Sequence, residues 1–219
     1  MNGVVITALN EAGTIAELVY QLKRQGLDVC VVNDGSTDDT GKVAELAGAF
    51  VIHHNNPRGI GKSLVEAWRY AIAQGWKYTM QIDAGGSHDP YSYLTWSFPN
   101  KPDIHIGTRF KGKFGYIGGS AWRKAGSKLA AKLLNFASHQ KITDWTSGYR
   151  VFSLTALRHL VGVNYMTNAH TWQIEVLHEA FRQGLTVAEF PIIYRATNST
   201  FKLSMVDDLI KVWLWVLFT

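Results

Sequence analysis

Met80-Gln81-Ile82-Asp83-Ala84-Gly85-Gly86-Ser87-His88-Asp89-Pro90 begins inside an apolar strand, Tyr78 to Ile82, and ends in a turn. The strand delivers one carboxylate, Asp83, at its C-terminal end, and two glycines and a second acid beside proline follow. In an open α/β sheet, ligands bind just outside the carboxyl ends of the strands. An acid there, followed by backbone that lets a ligand approach closely, predicts a site for a phosphorylated donor and a metal. The competing reading is a strand end whose Asp83 only caps the next turn.

On either side the same alternation recurs. Gly3 to Thr7 is a buried strand, and Thr14 to Lys23 has apolar residues at helical spacing, closing near Gly26. Leu27 to Val32 and Ala49 to His53 are strands, with helices over Gly41–Leu46 and from Arg58 to Ala73. Strands alternating with helices at this spacing predict βαβ units and a mostly parallel central sheet flanked by helices. The second half is less regular. A strand over Asp103–Gly107 leads into a basic, glycine-rich segment, and an amphipathic helix covers Ser120–Ser138. Asp144-Trp-Thr-Ser-Gly-Tyr-Arg150 reads as a polar aromatic loop. Helices over Leu154–Leu160 and Ala169–Gln183 and short strands around Pro191 complete the chain.

The 219 residues, 47% of them hydrophobic, suffice for one sizeable core, and a single domain is expected over 1–219. Within it, 1–100 reads as a donor-binding half, 101–204 as an acceptor-binding half and 205–219 as an amphipathic helix. The single cysteine, Cys30, sits in an apolar run, which excludes a disulfide framework and suits a reducing compartment. Met1 leads straight into a strand with no basic n-region, so a secretory leader is not expected and a cytoplasmic location is. The tail's uninterrupted apolar run, Val212 to Phe218, is seven residues long. A spanning helix needs about 20, so no transmembrane segment is expected. The tail either packs on the core or lies in a membrane interface, where Trp213 and Trp215 would suit.

Charge is divided unevenly. Residues 1–100 carry −3 and residues 101–219 carry +8, with seven basic residues and no acid between Arg109 and Lys132. That stretch is either a solvated face or a surface that meets a polyanion or an anionic membrane.

Three local patterns carry chemistry. Asn33-Asp34-Gly35-Ser36 ends the second strand, where an acid can contact a base or ribose; a plain capped turn is the alternative. Gly59-Ile-Gly61-Lys62-Ser63 resembles a phosphate loop but has Asn56 where that motif needs glycine. A milder role fits better: helix amides near Gly61, with Arg58 or Lys62, holding a diphosphate or base. The eight histidines show no metal-ligand spacing, with His88, between Asp83 and Asp89, as the exception.

Taken in order, Asn10-Glu11, Val32-Asn-Asp-Gly-Ser-Thr-Asp38, Ile82-Asp-Ala84, Gly107-Thr-Arg-Phe110 and Asp144-Trp-Thr-Ser-Gly-Tyr-Arg-Val-Phe152 resemble a family 2 glycosyltransferase. The likeness runs from residue 3 to about 204 and is greatest to dolichol-phosphate mannose synthase and its polyprenyl-phosphate relatives. It implies a single GT-A (Rossmann-like) domain and inverting transfer from a UDP- or GDP-sugar. It also implies roles. Ala8, Asn10, Glu11, Asn33, Asp34, Arg58, Lys62, Asp83, Ala84 and Lys202 would bind the donor, Asp34 at the base and Lys202 near the phosphates. Arg109 and Arg150 would hold diphosphate or an acceptor anion, and Glu175 would order a loop. Asp83 would contact the metal, Mg²⁺ or Mn²⁺, or the ribose. The family usually writes Asp-Ala-Asp where this chain has Asp83-Ala84-Gly85, and Ser87 stands where a metal-assisting glutamine is common. Metal should therefore be weakly held without nucleotide, with His88 or Asp89 as recruits.

The acceptor decides whether a base is needed. A lipid phosphate is already anionic; an alcohol needs a carboxylate in reach, and Asp144 is the candidate. The first expectation is transfer to polyprenyl phosphate, with the enzyme peripheral on a membrane. The second is transfer to hydroxymethylated bases of DNA, favoured by the basic second half and the lack of membrane helices. The third is a non-catalytic nucleotide-sugar-binding protein.

Overall fold

The computed structural model describes residues 3–95, 101–112, 115–118, 121–169, 171–196 and 204–219. The first half runs β1 (Gly3–Ala8), α1 (Ile15–Arg24), β2 (Asp28–Asp34), α2 (Thr40–Leu46), β3 (Phe50–His54), α3 (Ile60–Ala73) and β4 (Tyr78–Asp83). The second half runs β5 (Ile104–Thr108), β6 (Tyr116–Ile117), α4 (Ala121–Ser138), β7 (Arg150–Ser153), α5 (Leu154–Leu160), α6 (Trp172–Arg182), β8 (Val187–Pro191), β9 (Tyr194–Arg195) and α7 (Ser204–Phe218).

Among the described residues, seven strands form one sheet in the order β3-β2-β1-β4-β7-β5-β8. All neighbours are parallel except β7, which runs antiparallel to β4 and β5 and joins the two halves. A mostly parallel sheet covered on both faces must be apolar on both sides of its central strands, and β1 shows it. Val5 joins Cys30, Val32 and Trp68 in one cluster, while its neighbours Val4 and Ile6 join Val29, Val31 and Leu22 in the other. Burial pushes the Cys30 thiol, with the nearby charge of Glu66, up to about 12, which makes it inert packing.

Helix α1 buries Ile15, Leu18, Val19 and Leu22, the i, i+3, i+4, i+7 stripe. Gly26, at φ 72°, takes the left-handed conformation just past its end. On the other face, Trp68 of α3 packs on Phe152 at 5.0 Å and on Trp172 at 5.1 Å between ring centres. Gly61 permits this closeness, because a Cβ there would lie 2.8 Å from the Trp172 ring.

One sequence expectation changes: residues 150–153 are a strand, not the end of a loop. The tail is a helix with Val212 and Val216 buried in the core and Ile210, Leu214 and Leu217 exposed. No described helix is long and apolar enough to cross a membrane.

Buried histidines tie the core to pH. Burial pushes His105 of β5 down to about 4, and also lowers His88 and His178 from the usual 6.5. Below 6.5 the unfolded chain takes up these protons before the folded one, so this contribution is complete above pH 6.5 and is lost as pH falls towards 4. The urea midpoint should therefore be flat on the alkaline side and fall through that window. A midpoint that stays constant down to pH 4 would show that these rings are not held neutral.

Candidate active site

The loops that matter leave the sheet at one edge. They follow β1, β2, β4, β5 and β8, and the loop 144–149 enters β7 at the end where β4 stops, since Gln81 pairs with Arg150. The edge is the carboxyl end of the parallel strands, where the topology places ligands.

The loops after β1 and β2 are bonded to each other. Asn10, left-handed at φ 57°, accepts the Thr37 N–H at 2.9 Å and donates its own N–H to Ser36 Oγ at 3.0 Å. The Glu11 N–H donates to Thr40 Oγ1 at 2.7 Å. Asn33 folds back on its own turn, accepting the Ser36 N–H at 3.2 Å, and Ala8 and Ala84 are buried at strand ends.

Asp34 is engaged by its own neighbours. Its oxygens accept the N–H groups of Arg58 (2.8 Å) and Gly59 (2.9 Å), and Oδ1 also lies 2.7 Å from Nδ1 of buried His54. Burial alone would raise its pKa; these bonds and one from Ser63 outweigh that and hold the carboxyl below the usual range. Asp34 thus shapes the turn after β3. His54 Nε2 continues to Glu66 Oε2 at 2.7 Å, and Arg58 approaches the same oxygen at 3.5 Å. Lys62 is exposed on α3. The Gly61 amide does not face a ligand, for it donates to the Asn168 carbonyl at 3.4 Å.

Asp83 stands where the sequence puts it. Its side chain is 43% exposed. Its Oδ1 lies against Gly148, where a Cβ would come within 2.7 Å, so a glycine in the 144–149 loop keeps room for this carboxylate. At Gly85 a Cβ would lie 3.2 Å from Glu11 Oε1; the acid expected there by family pattern would meet Glu11 instead.

The expected metal recruits are otherwise engaged. Asp89 accepts the Tyr91 N–H (3.3 Å) and the Ser92 hydroxyl (2.9 Å), capping the 3-10 turn Ser92–Thr95. His88 is buried between Tyr149 and Tyr194, at 5.4 and 5.3 Å between ring centres. Its Nδ1 accepts the Asp83 N–H at 3.3 Å, which suits the neutral ring that burial favours. Among the described residues no three His, Cys, Asp or Glu side chains form a metal cluster.

Arg109, after β5, pairs with Asp144. Nε donates to Oδ2 at 2.7 Å and Nη2 to Oδ1 at 2.6 Å, a bidentate pair with side chains 11% and 0% exposed. Burial would lower the Arg109 pKa, but Asp144 outweighs it and holds the guanidinium charged. Three rings box the cation: Tyr194 at 5.2 Å, Phe110 at 5.5 Å and Tyr116 at 5.9 Å. The short β6–β9 pair brings Tyr116 and Tyr194 together, and an isolated bridge links Tyr194 to His88. Beside the box opens a cavity of about 330 Å³ lined by Arg109, Phe110, Tyr116, Ile117, Lys124 and Lys128.

Two residues expected to act on substrate are engaged within the protein. Both oxygens of Asp144 accept from Arg109. Arg150 is fully buried, donating to the carbonyls of Ser147 (3.1 Å) and Trp145 (3.0 Å). Burial takes its pKa down to about 9, with the Asp144 charge opposing. Arg150 braces the 144–149 loop from within. Glu175 orders a loop, accepting the N–H groups of Met166 (2.6 Å) and Thr167 (3.0 Å). Lys202 lies outside the described residues. The ring box escaped the sequence reading; its only signal was aromatics at Phe110, Tyr116 and Tyr194 around one arginine.

The sequence profile described as Glycosyl transferase family 2 matches residues 3–160. The chain belongs to that family. This family 2 glycosyltransferase is 28% identical over 202 residues to the polyprenol monophosphomannose synthase of Mycolicibacterium smegmatis, covering 87% of this chain and 76% of that one. It is 25% identical over 173 residues to the undecaprenyl-phosphate mannosyltransferase of Micrococcus luteus, covering 76% and 71%. Among solved structures, glucosyl-3-phosphoglycerate synthase from Mycobacterium tuberculosis, crystallised with Mn²⁺, UDP and glucosyl-3-phosphoglycerate, superposes with a TM-score of 0.72. That match has 21% identity and covers 100% of this chain and 78% of that one, a likeness of fold. The glycosyltransferase thus has the GT-A fold its sequence resembled.

Proposed function

We propose that this glycosyltransferase moves a hexose from a UDP- or GDP-sugar to a polyprenyl phosphate, with inversion. The observation that carries the reading is the Arg109–Asp144 pair. It engages both oxygens of the one carboxylate expected to act as a base, beside a cavity lined by cations, rings, glycines and Ile117, with no carboxylate among its lining residues. An acceptor that enters must bring its own nucleophile, and a phosphate monoester is an anion at neutral pH. A sugar or base hydroxyl would need its proton removed. The named acceptors of the two mannosyltransferase relatives support the same class.

In this reading the donor would lie across the ends of β1, β2 and β4, near Asn10, Glu11 and the Asp34-shaped turn, with Arg58 and Lys62 exposed beside it. Asp83 offers one open carboxylate edge, which suits Mg²⁺ or Mn²⁺ when diphosphate and water complete the shell. Such an ion would neutralise the charge that develops on the leaving diphosphate. Arg109, held protonated, adds fixed positive potential on the acceptor side.

Mass spectrometry of paired reactions tests this. UDP- and GDP-sugars with Mn²⁺ or Mg²⁺ are offered to a short-chain polyprenyl phosphate and, separately, to hydroxymethylpyrimidine duplex DNA. A hexose-sized gain on the lipid phosphate is expected. A gain on the DNA alone, or donor binding without transfer to either, would overturn the proposal.

A further inference from the structure

Helices α4 and α7 leave a large apolar surface that the fold does not cover. On α4, Trp122 is 84% exposed and Phe136 75%, with Leu129 and Leu133 open between them. These four recur at intervals of seven, four and three residues, so they form one stripe along the helix. Its opposite side, with Ala131 and Leu134, is buried in the core. On α7, Ile210, Leu214 and Leu217 form a second exposed stripe opposite the buried Val212 and Val216. The two helices touch: Trp213 of α7 donates its indole N–H to the Leu133 carbonyl of α4 at 3.3 Å. Exposed apolar surface gathered on adjacent helices marks an interaction site.

The charges beside it select the partner. Helix α4 holds Arg123, Lys124, Lys128 and Lys132 and no acid, α7 holds Asp207, Asp208 and Lys211, and the two helices together carry a net positive charge. At 100° per residue, the three lysines fall between the buried side and the apolar stripe. Lys124 and Lys128 also line the Arg109 cavity. Lysines edging an apolar stripe, with tryptophan near its end, suit a helix lying in the interface of an anionic bilayer. A second copy of this chain would set lysine against lysine.

We infer that the α4–α7 face docks on an anionic membrane and thereby brings the mouth of the Arg109 cavity to the lipid headgroups. The orientation of the cavity rests on the lipid-phosphate reading above; the docking itself does not.

Vesicle co-sedimentation, with no sugar donor present, tests it. The unaltered protein should sediment with phosphatidylcholine vesicles containing phosphatidylglycerol, less with phosphatidylcholine alone, and less as salt rises. The double variant Leu129→Glu/Phe136→Glu, altered only at exposed positions, should bind at least about tenfold more weakly. It should keep its circular dichroism melt and its activity on a short, water-soluble prenyl phosphate. A milder variant, Leu129→Ser/Phe136→Ser, should fall between. Failure of the unaltered protein to sediment, unchanged binding by both variants, or a dimer in light scattering that the variants dissolve would each overturn the inference. If vesicles bind but no prenyl phosphate is glycosylated, the docking stands and the acceptor reading falls.

Discussion

Asp83→Asn lowers turnover by at least about a thousandfold, the scale of losing a key charge contact to a developing leaving group. The expectation follows from where Asp83 sits. It is the open carboxylate at the end of β4, and no cluster of three metal-binding side chains stands by to replace it among the described residues. The substitution keeps the shape and removes the charge. The side chain is already 43% exposed, so the thermal midpoint should hardly move. Mn²⁺ affinity measured by calorimetry in the presence of UDP or GDP should fall in parallel. Gly148→Ala is a companion test, because its Cβ would press within 2.7 Å of Asp83 Oδ1 and displace the carboxylate without neutralising it. Full activity in Asp83→Asn would remove this residue from the donor site.

Asp144→Ala should lose both stability and activity. Removing one member of a buried bidentate pair leaves the other charge uncompensated, a cost of about 3–5 kcal/mol. Here the survivor would be Arg109, 11% exposed and boxed by three rings. Replacing both partners with apolar residues, Arg109→Met/Asp144→Leu, should recover much of that stability in urea while leaving transfer abolished. The pH–rate profile of Asp144→Asn separates positioning from base catalysis. If Asp144 were a base, Asp144→Asn would erase the acidic limb of the pH–rate profile and spare the reaction of an already ionised phosphate. A positioning residue predicts loss with the phosphate acceptor and an unchanged acidic limb.

The donor half was legible because its signals are local. Uninterrupted apolar runs in β1 and β2, period-3.6 burial in α1, and acids at strand ends all lie within a few residues, and the ordered motifs were sufficient to recognise the family. Asp83 could be placed from its own stretch alone, since a strand's last residue must face the ligand edge. The acceptor half was not, because its contacts join residues far apart in sequence. Arg109 and Asp144 are 35 positions apart, and each alone looks like a free functional charge. Only their pairing shows that one consumes the other. Arg150 has the same history: its position in a motif suggests anion binding, but the insertion of β7 between β4 and β5 buries it completely. That strand is four residues long and reads as a loop, because its β conformation comes from hydrogen bonds to two neighbours already in place. The sequence by itself therefore determined the family, the parallel half of the sheet and the carboxylate at its edge. The tertiary structure alone decided which charges remain free to act, because burial and pairing are properties of neighbours that the chain brings together only by folding.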